Sequence, residues 1–369
     1  MCRSMSWVET SMNTSGPEGD PKAVSPFDTL PATPGELTSA LRTSGKLREG
    51  EIVNTNVAEQ RQTAISHLRF LEVGYSRASR PTLPTRLLLK WPVEASAEAG
   101  GDAETRFYRD LAPALSSPPI VQCLATASAT SAEPWLLLED LRTSHRCPPW
   151  PDRPTERELH AAVIVLAGLH AGWWEGRGAE RALGTPHTET SLRAMVADIR
   201  AHLPAFLDVV TDLPRSDRAV LETVFNSPLR PWLRLTDQRD LTLIHGDAHT
   251  WNFLFPRSGS GTPYLIDWQT WHTDVGARDL AYMMALHWDP RVRQQLERPL
   301  LELYHRELMQ CGITAYSFEE LLLDYRRCVV RNLTFPIIFW SRGFSRERWR
   351  YRLDCALAAF HDFNCTELL

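Results

Sequence analysis

Between Leu47 and Leu141 the apolar residues fall in short runs of strand length. Ile65 to Val73 suits a strand, and Pro84-Thr85-Arg86 leads into Leu87-Leu88-Leu89-Lys90-Trp91. In that run Leu87, Leu89 and Trp91 share one face and Leu88 and Lys90 the other. From Ala103 to Leu111 the period turns helical, with Phe107 and Leu111 four apart, and Trp135 to Leu138 is a short apolar strand ending at Glu139-Asp140. The pattern predicts a small sheet with one helix. Beyond Asp140 the chain reads as mainly helical. Leu159, Val163, Leu166, His170 and Trp173 form one stripe within Glu156 to Trp174, and more helix is predicted from Leu192 to Phe225 and from Val292 to the C-terminus. The exception is a hairpin: Leu241 to Ile244 leads into a polar loop, then Asn252 to Phe255, a Gly/Ser turn, and Tyr264 to Asp267. Residues 1–40, punctuated by Gly16-Pro17, Ser25-Pro26, Leu30-Pro31 and Thr33-Pro34-Gly35, show no sustained period and read as a flexible tail. The expected class is α+β: a tail (1–40), a β-rich lobe (41–140) and a helical lobe (141–369) with an embedded hairpin.

Composition narrows the function. With 43% hydrophobic and 23% charged residues over 369 positions, the chain is an ordinary globular sequence. Lys+Arg 40 against Asp+Glu 45 gives a net charge of −5 with no basic stripe, so no nucleic-acid partner is expected. Cys2, Cys123, Cys147, Cys311, Cys328, Cys355 and Cys365 are scattered without a C-x-x-C pair, which implies reduced thiols in a cytoplasmic protein and no zinc site. The opening segment lacks an apolar signal core, and the most apolar stretch, Ala161 to Trp174, is too short to span a bilayer, so no membrane association is expected.

Candidate chemistry concentrates in Ile244-His245-Gly246-Asp247-Ala248-His249-Thr250-Trp251-Asn252 and Leu265-Ile266-Asp267-Trp268-Gln269. If the two strands of the hairpin pair, Asn252 and Asp267 meet at one end, close to Asp247. Hard oxygen ligands with open positions suit Mg²⁺, which fills its remaining sites with phosphate oxygens and water. Asp247 is then left to accept a proton from an attacking hydroxyl or amine. An Asp followed five residues later by Asn, and then by a strand-end Asp, is the spacing of phosphoryl transfer in protein-kinase-like enzymes.

His245 to Asn252 resembles the H-G-D-x-x-x-x-N motif of the aminoglycoside phosphotransferase and choline kinase group. Asp267-Trp268-Gln269 is similar to the D-W-Q metal motif of that group's ecdysteroid-kinase-like branch. Ala167 to Trp174 resembles the helix before the catalytic loop, and Gly276 to Ala281 resembles the element after the metal motif, whose acid (here Asp279) braces that loop. Lys90 and Glu104 are similar to the pair that positions nucleotide phosphates, and Leu136 to Leu141 resembles the hinge, with the backbone at Glu139 and Leu141 on adenine. The resemblance spans roughly residues 45–290. It implies a protein-kinase-like two-lobe fold and transfer of the γ-phosphoryl group of ATP, or of GTP, to a hydroxyl of a small-molecule acceptor. In that scheme Asp247 is the base, Asn252 and Asp267 hold Mg²⁺, and the acceptor pocket lies in the helical lobe after Asp279. The chain departs from the pattern in three places. Arg48 to Asn56, the candidate phosphate loop, has one glycine; Trp251 replaces the usual glycine before Asn252; and Glu94 to Asp102 is an acidic insert before Glu104.

Structural readings stand beside these. His245 reads as a buried histidine bonded to backbone, His170 with Trp173 and Trp174 as core, and Asp279 as a structural brace. The stretch Phe335 to Trp349 suits an acceptor pocket or plain packing equally. Two other functions fit parts of the sequence. One is a metallohydrolase using His245, Asp247, His249, Asp267, His272 and Asp274; the other is a non-catalytic pseudokinase that keeps the fold.

Overall fold

The computed structural model describes residues 30–31, 33–63, 65–78, 83–93, 102–115, 119–129, 134–149, 152–176, 188–226 and 239–369. Its strands, in chain order, are β1 (Ile52–Gln62), β2 (Ser66–Tyr75), β3 (Arg86–Pro92), β4 (Cys123–Thr126), β5 (Leu136–Glu139), β6 (His145–Arg146), β7 (Leu241–Ile244), β8 (Phe253–Pro256), β9 (Tyr264–Leu265) and β10 (His272–Val275). The longer helices are α1 (Pro34–Thr43), α2 (Ala103–Arg106, continued by a wider π-type turn over Phe107–Leu111), α3 (Glu156–Trp173), α4 (Glu189–Val209), α5 (Arg215–Asn226), α6 (Ala277–Ala285), α7 (Pro290–Gln310), α8 (Phe318–Asn332), α9 (Thr334–Ser341) and α10 (Arg346–Asp362). They form two compact units, Met1–Arg153 with Trp251–Thr270, and Pro154–Thr250 with Trp271–Leu369.

In the first unit an antiparallel sheet has the order β1-β2-β3-β5-β4. One face buries Leu71, Val73, Leu87, Leu89, Trp91 and Leu137 against Leu37 and Leu41 of α1. Directly paired residues share a face, so Leu68 opposite Lys90, and Phe70 and Leu138 opposite Leu88, line the other. The strand alternation read from the sequence is therefore the observed one. A second, three-stranded sheet has the order β6-β8-β9.

In the second unit α6 is buried along its whole length. It packs beside α8, while α3 packs beside α7. Helix α3 begins at a capping box in which Thr155 caps the Glu158 N–H and Glu158 reaches back to Thr155.

Several boundaries differ from those predicted. Residues 1–29 of the tail lie outside the described residues, but Pro34–Thr43 is a helix. Thr33 and Glu36 form its capping box, Pro34 opens its first turn, and Leu37 and Leu41 anchor it to the sheet. By compact packing, Trp251–Thr270 groups with the first unit, whose first segment ends at Arg153. Within the expected hairpin, β8 and β9 do pair, but β7 pairs with β10 instead. The helical region from Leu192 to Phe225 holds two helices, α4 ending at Val209 and α5 starting directly after Pro214. Residues 52–56 of the candidate phosphate loop are strand. After β1 the Thr63 hydroxyl accepts the Ser66 N–H at the start of β2 at 3.0 Å. Most of the insert Glu94 to Asp102 lies outside the described residues.

Candidate active site

The first unit brings together three ionisable groups predicted from the sequence. Lys90 projects from the middle of β3, and its ammonium lies 2.5 Å from Glu104 Oε2 and 3.0 Å from Asp267 Oδ1. All three side chains are buried. Burial pushes the Lys90 pKa down, yet Asp267 and Glu104 outweigh it and hold the pKa above the ordinary lysine value. The trio is formally −1, a buried surplus of negative charge on hard oxygen donors.

The D-W-Q segment explains how Glu104 and Asp267 are held. Asp267 has a φ of 68°, a left-handed turn that aspartate tolerates, and the chain passes at once into the short turn Trp268–Thr270. The Trp268 N–H donates to Glu104 Oε1 at 3.3 Å. The indole stacks on Phe107, one turn beyond Glu104, with centroids 3.8 Å apart and planes 5° from parallel. Gln269 Nε2 donates to Ser66 Oγ at 3.1 Å, tying the segment to the start of β2. The sequence marks Phe107 only by its helical spacing and Ser66 not at all, because their partners here lie more than 150 residues away.

Asn252, fully buried, ends the short turn Thr250–Asn252 directly before β8, and its carbonyl accepts the N–H of Ile266, the residue before Asp267, at 3.0 Å. Glu139 ends β5, and the Leu141 carbonyl accepts from Ser144 N and His145 N. Trp251 is buried, with its indole N–H on the Asp152 carbonyl at 3.1 Å, so its ring serves packing and not an acceptor.

Asp247 belongs to the second unit, in the loop after β7. Asp279 organises that loop: Oδ2 accepts the His245 N–H at 2.7 Å and Oδ1 the Gly246 N–H at 2.8 Å. His170 Nε2 lies 3.3 Å from the same carboxylate, and its Nδ1 meets the Tyr304 hydroxyl at 2.8 Å. Burial raises the Asp279 pKa, but the His170 bond and charge and the loop N–H hold it below the ordinary carboxylate range. Gly276 admits this arrangement, since a Cβ there would fall 2.2 Å from the Tyr304 hydroxyl. His170, read as core, is thus part of the brace.

Asp247 is itself buried, with His249 Nε2 3.6 Å from Oδ2 and the Tyr282 hydroxyl hydrogen-bonded to its carboxylate. Behind it His287 Nδ1 donates to the Tyr282 carbonyl at 2.8 Å and Nε2 accepts from Arg352 at 3.2 Å. These partners fix the neutral tautomer. Burial, together with the charges of Arg352 and His249, pushes its pKa well below that of ordinary histidine. His272 and Asp274, offered for a metallohydrolase, pair with each other, and Asp274 also takes a two-pronged bond from Arg331. Among the described residues no group of three or more His, Cys, Asp or Glu is arranged to hold a metal.

A protein-family model described as "Phosphotransferase enzyme family" matches residues 68–312. Among solved structures, a candidate aminoglycoside phosphotransferase from Ralstonia eutropha superposes with a TM-score of 0.56 at 14% identity, covering 90% of this chain and 97% of that one. A spectinomycin phosphotransferase in complex with ADP and spectinomycin gives 0.53 at 13% identity, covering 92% and 100%. An ethanolamine kinase from Plasmodium vivax gives 0.50 at 9% identity, covering 84% of each. These likenesses give the fold expected from the sequence. No curated protein matches by sequence.

Proposed function

The chain belongs to the phosphotransferase enzyme family, and from that premise we propose that it transfers the γ-phosphoryl group of ATP, or of GTP, to a hydroxyl of a small molecule. The observation that carries the reading is the buried Lys90 ammonium held between Glu104 and Asp267. A lysine fixed at a strand centre by two acids is a poor way to stabilise a fold, because desolvation offsets most of the attraction. It is a good way to preposition a cation for phosphate oxygens.

The donor set fits Mg²⁺: a carboxylate and an amide oxygen, both buried, beside a surplus negative charge. Asp267 and Asn252 would hold the ion, which when bound supplies charge neutralisation at the phosphates. Lys90 binds the phosphates, Glu104 orients it, and the backbone at Glu139 and Leu141 receives the base. Asp247, restrained by Tyr282 and backed by the Asp279-ordered loop, orients the acceptor hydroxyl and takes its proton.

The acceptor belongs to the small hydroxyl compounds. The names of the structural neighbours place aminoglycosides, spectinomycin and ethanolamine first on a panel. No described helix is long and apolar enough to cross a membrane.

The test is nucleotide turnover over that panel, together with nucleotide-dependent thermal stabilisation. Asp247→Asn should lose turnover by roughly a thousandfold or more, on the scale of a lost base combined with lost positioning, and keep the stabilisation. Stabilisation by ATP that survives Lys90→Ala would refute the nucleotide site. Stabilisation without turnover on any acceptor would favour the pseudokinase.

A further inference from the structure

Phe70 lies on the same face of the sheet as Lys90, opposite Leu88 on β3 and so about 7 Å along the strand from the lysine. Beside Leu88 on that face, Leu138 of β5 leads to the segment Glu139–Leu141 proposed to receive the base. Between the phosphate end and the hinge end, the flat surface is the Phe70 ring. It is covered. The guanidinium of Arg142, the residue directly after Leu141, lies over it with Cζ 3.4 Å from the ring centroid; Arg61 stands farther off, at 5.2 Å. A planar cation at 3.4 Å occupies the stacking distance of an aromatic base. Asp140 holds Arg142 through Nε at 2.9 Å and Nη2 at 3.0 Å, and Glu59 on β1 takes Nη1.

We propose that Arg142 is a placeholder for the nucleobase and sets nucleotide affinity. Its guanidinium occupies the Phe70 face on which the base stacks, and it must swing out before the nucleotide seats. This rests on the kinase reading above. The displaced state is tolerable because the buried Asp140 carboxylate keeps the Arg142 N–H at 3.0 Å and the Arg86 guanidinium at 3.6 Å. Arg142 is itself about one-third exposed, with solvent on its outer side. The competent fraction of the protein is then less than one, and measured affinity falls by that fraction.

Calorimetric titration of the full chain with ATP and Mg²⁺ tests this, because a placeholder and a stacking platform predict opposite signs. Arg142→Ala should tighten binding roughly fivefold, and Glu59→Gln, which loosens the guanidinium without touching Asp140, about twofold. Phe70→Leu should weaken binding. If both Arg142→Ala and Glu59→Gln weaken binding or leave it unchanged while Lys90→Ala abolishes it, the placeholder is wrong and the kinase reading stands. If wild type and both variants show no Lys90-dependent binding, both ideas fall. Should Arg142→Ala not fold, Glu59→Gln, at an exposed position on an edge strand, decides alone.

Discussion

Replacing Lys90 by methionine removes one charge and little volume, and it tests the electrostatics of the site without any substrate. In the wild type a single ammonium lies between two carboxylates, all three side chains 6% exposed or less. Lys90→Met leaves Glu104 and Asp267 buried together with no cation between them. Breaking a buried pair by deleting one partner costs about 3–5 kcal/mol, and two carboxylates sharing a site cannot both stay ionised cheaply. One of them must take up a proton in the folded variant, so its pKa rises above its unfolded value near 4. A carboxylate with a raised folded pKa binds more protons folded than unfolded, so its share of stability is present at low pH and lost as pH rises through that pKa. The loss relative to wild type should therefore be about 3–5 kcal/mol at pH 8 and distinctly smaller at pH 5. Urea unfolding followed by tryptophan fluorescence at both pH values measures it. Lys90→Met/Glu104→Gln should recover much of the loss at pH 8, since it leaves one carboxylate. A variant as stable as wild type at pH 8, or a loss of the same size at both pH values, would show that the three charges are not coupled as described.

Asp279→Ala strips the acceptor from two buried N–H groups and from His170, so it should destabilise by about 4 kcal/mol, at roughly 1–3 kcal/mol per orphaned donor with incomplete additivity. Asp279→Asn, which keeps one acceptor oxygen, should cost roughly half of that, and equal losses would argue against the two-oxygen brace. His287 is neutral in the fold and its pKa is depressed, so the unfolded chain gains a proton first as pH falls; stability tied to it is full above about pH 6.5 and is lost below. His145, depressed by burial, acts in the same direction. His287→Gln should flatten the slope of stability between pH 7 and pH 5, measured by thermal unfolding, and an unchanged slope would remove His287 from the account.

Much of this protein is written locally. The face shared by Leu87, Leu89 and Trp91, the stripe on α3, and the spacing of Asp247, Asn252 and Asp267 follow from periods of 2 and 3.6 residues and from a loop of fixed length. Other features were not legible. Strand β1 is an edge strand with most of its residues exposed, so its sequence carries no alternation; pairing with β2 alone makes it a strand. Helix α1 hides behind proline and glycine, which mark a loop until Leu37 and Leu41 find the sheet. Strand β7 turns from the nearer β8 to β10, while β8 and β9 pack with the first unit. Trp268 on Phe107, Asp279 under the His245 loop and Arg142 on Phe70 join residues 161, 34 and 72 positions apart. The sequence by itself determined the spacing of the candidate site residues and which faces are apolar, because those depend on neighbours in the chain. Only the tertiary structure decided which charges meet and what covers them, because contact energies between distant segments leave no period behind to be read.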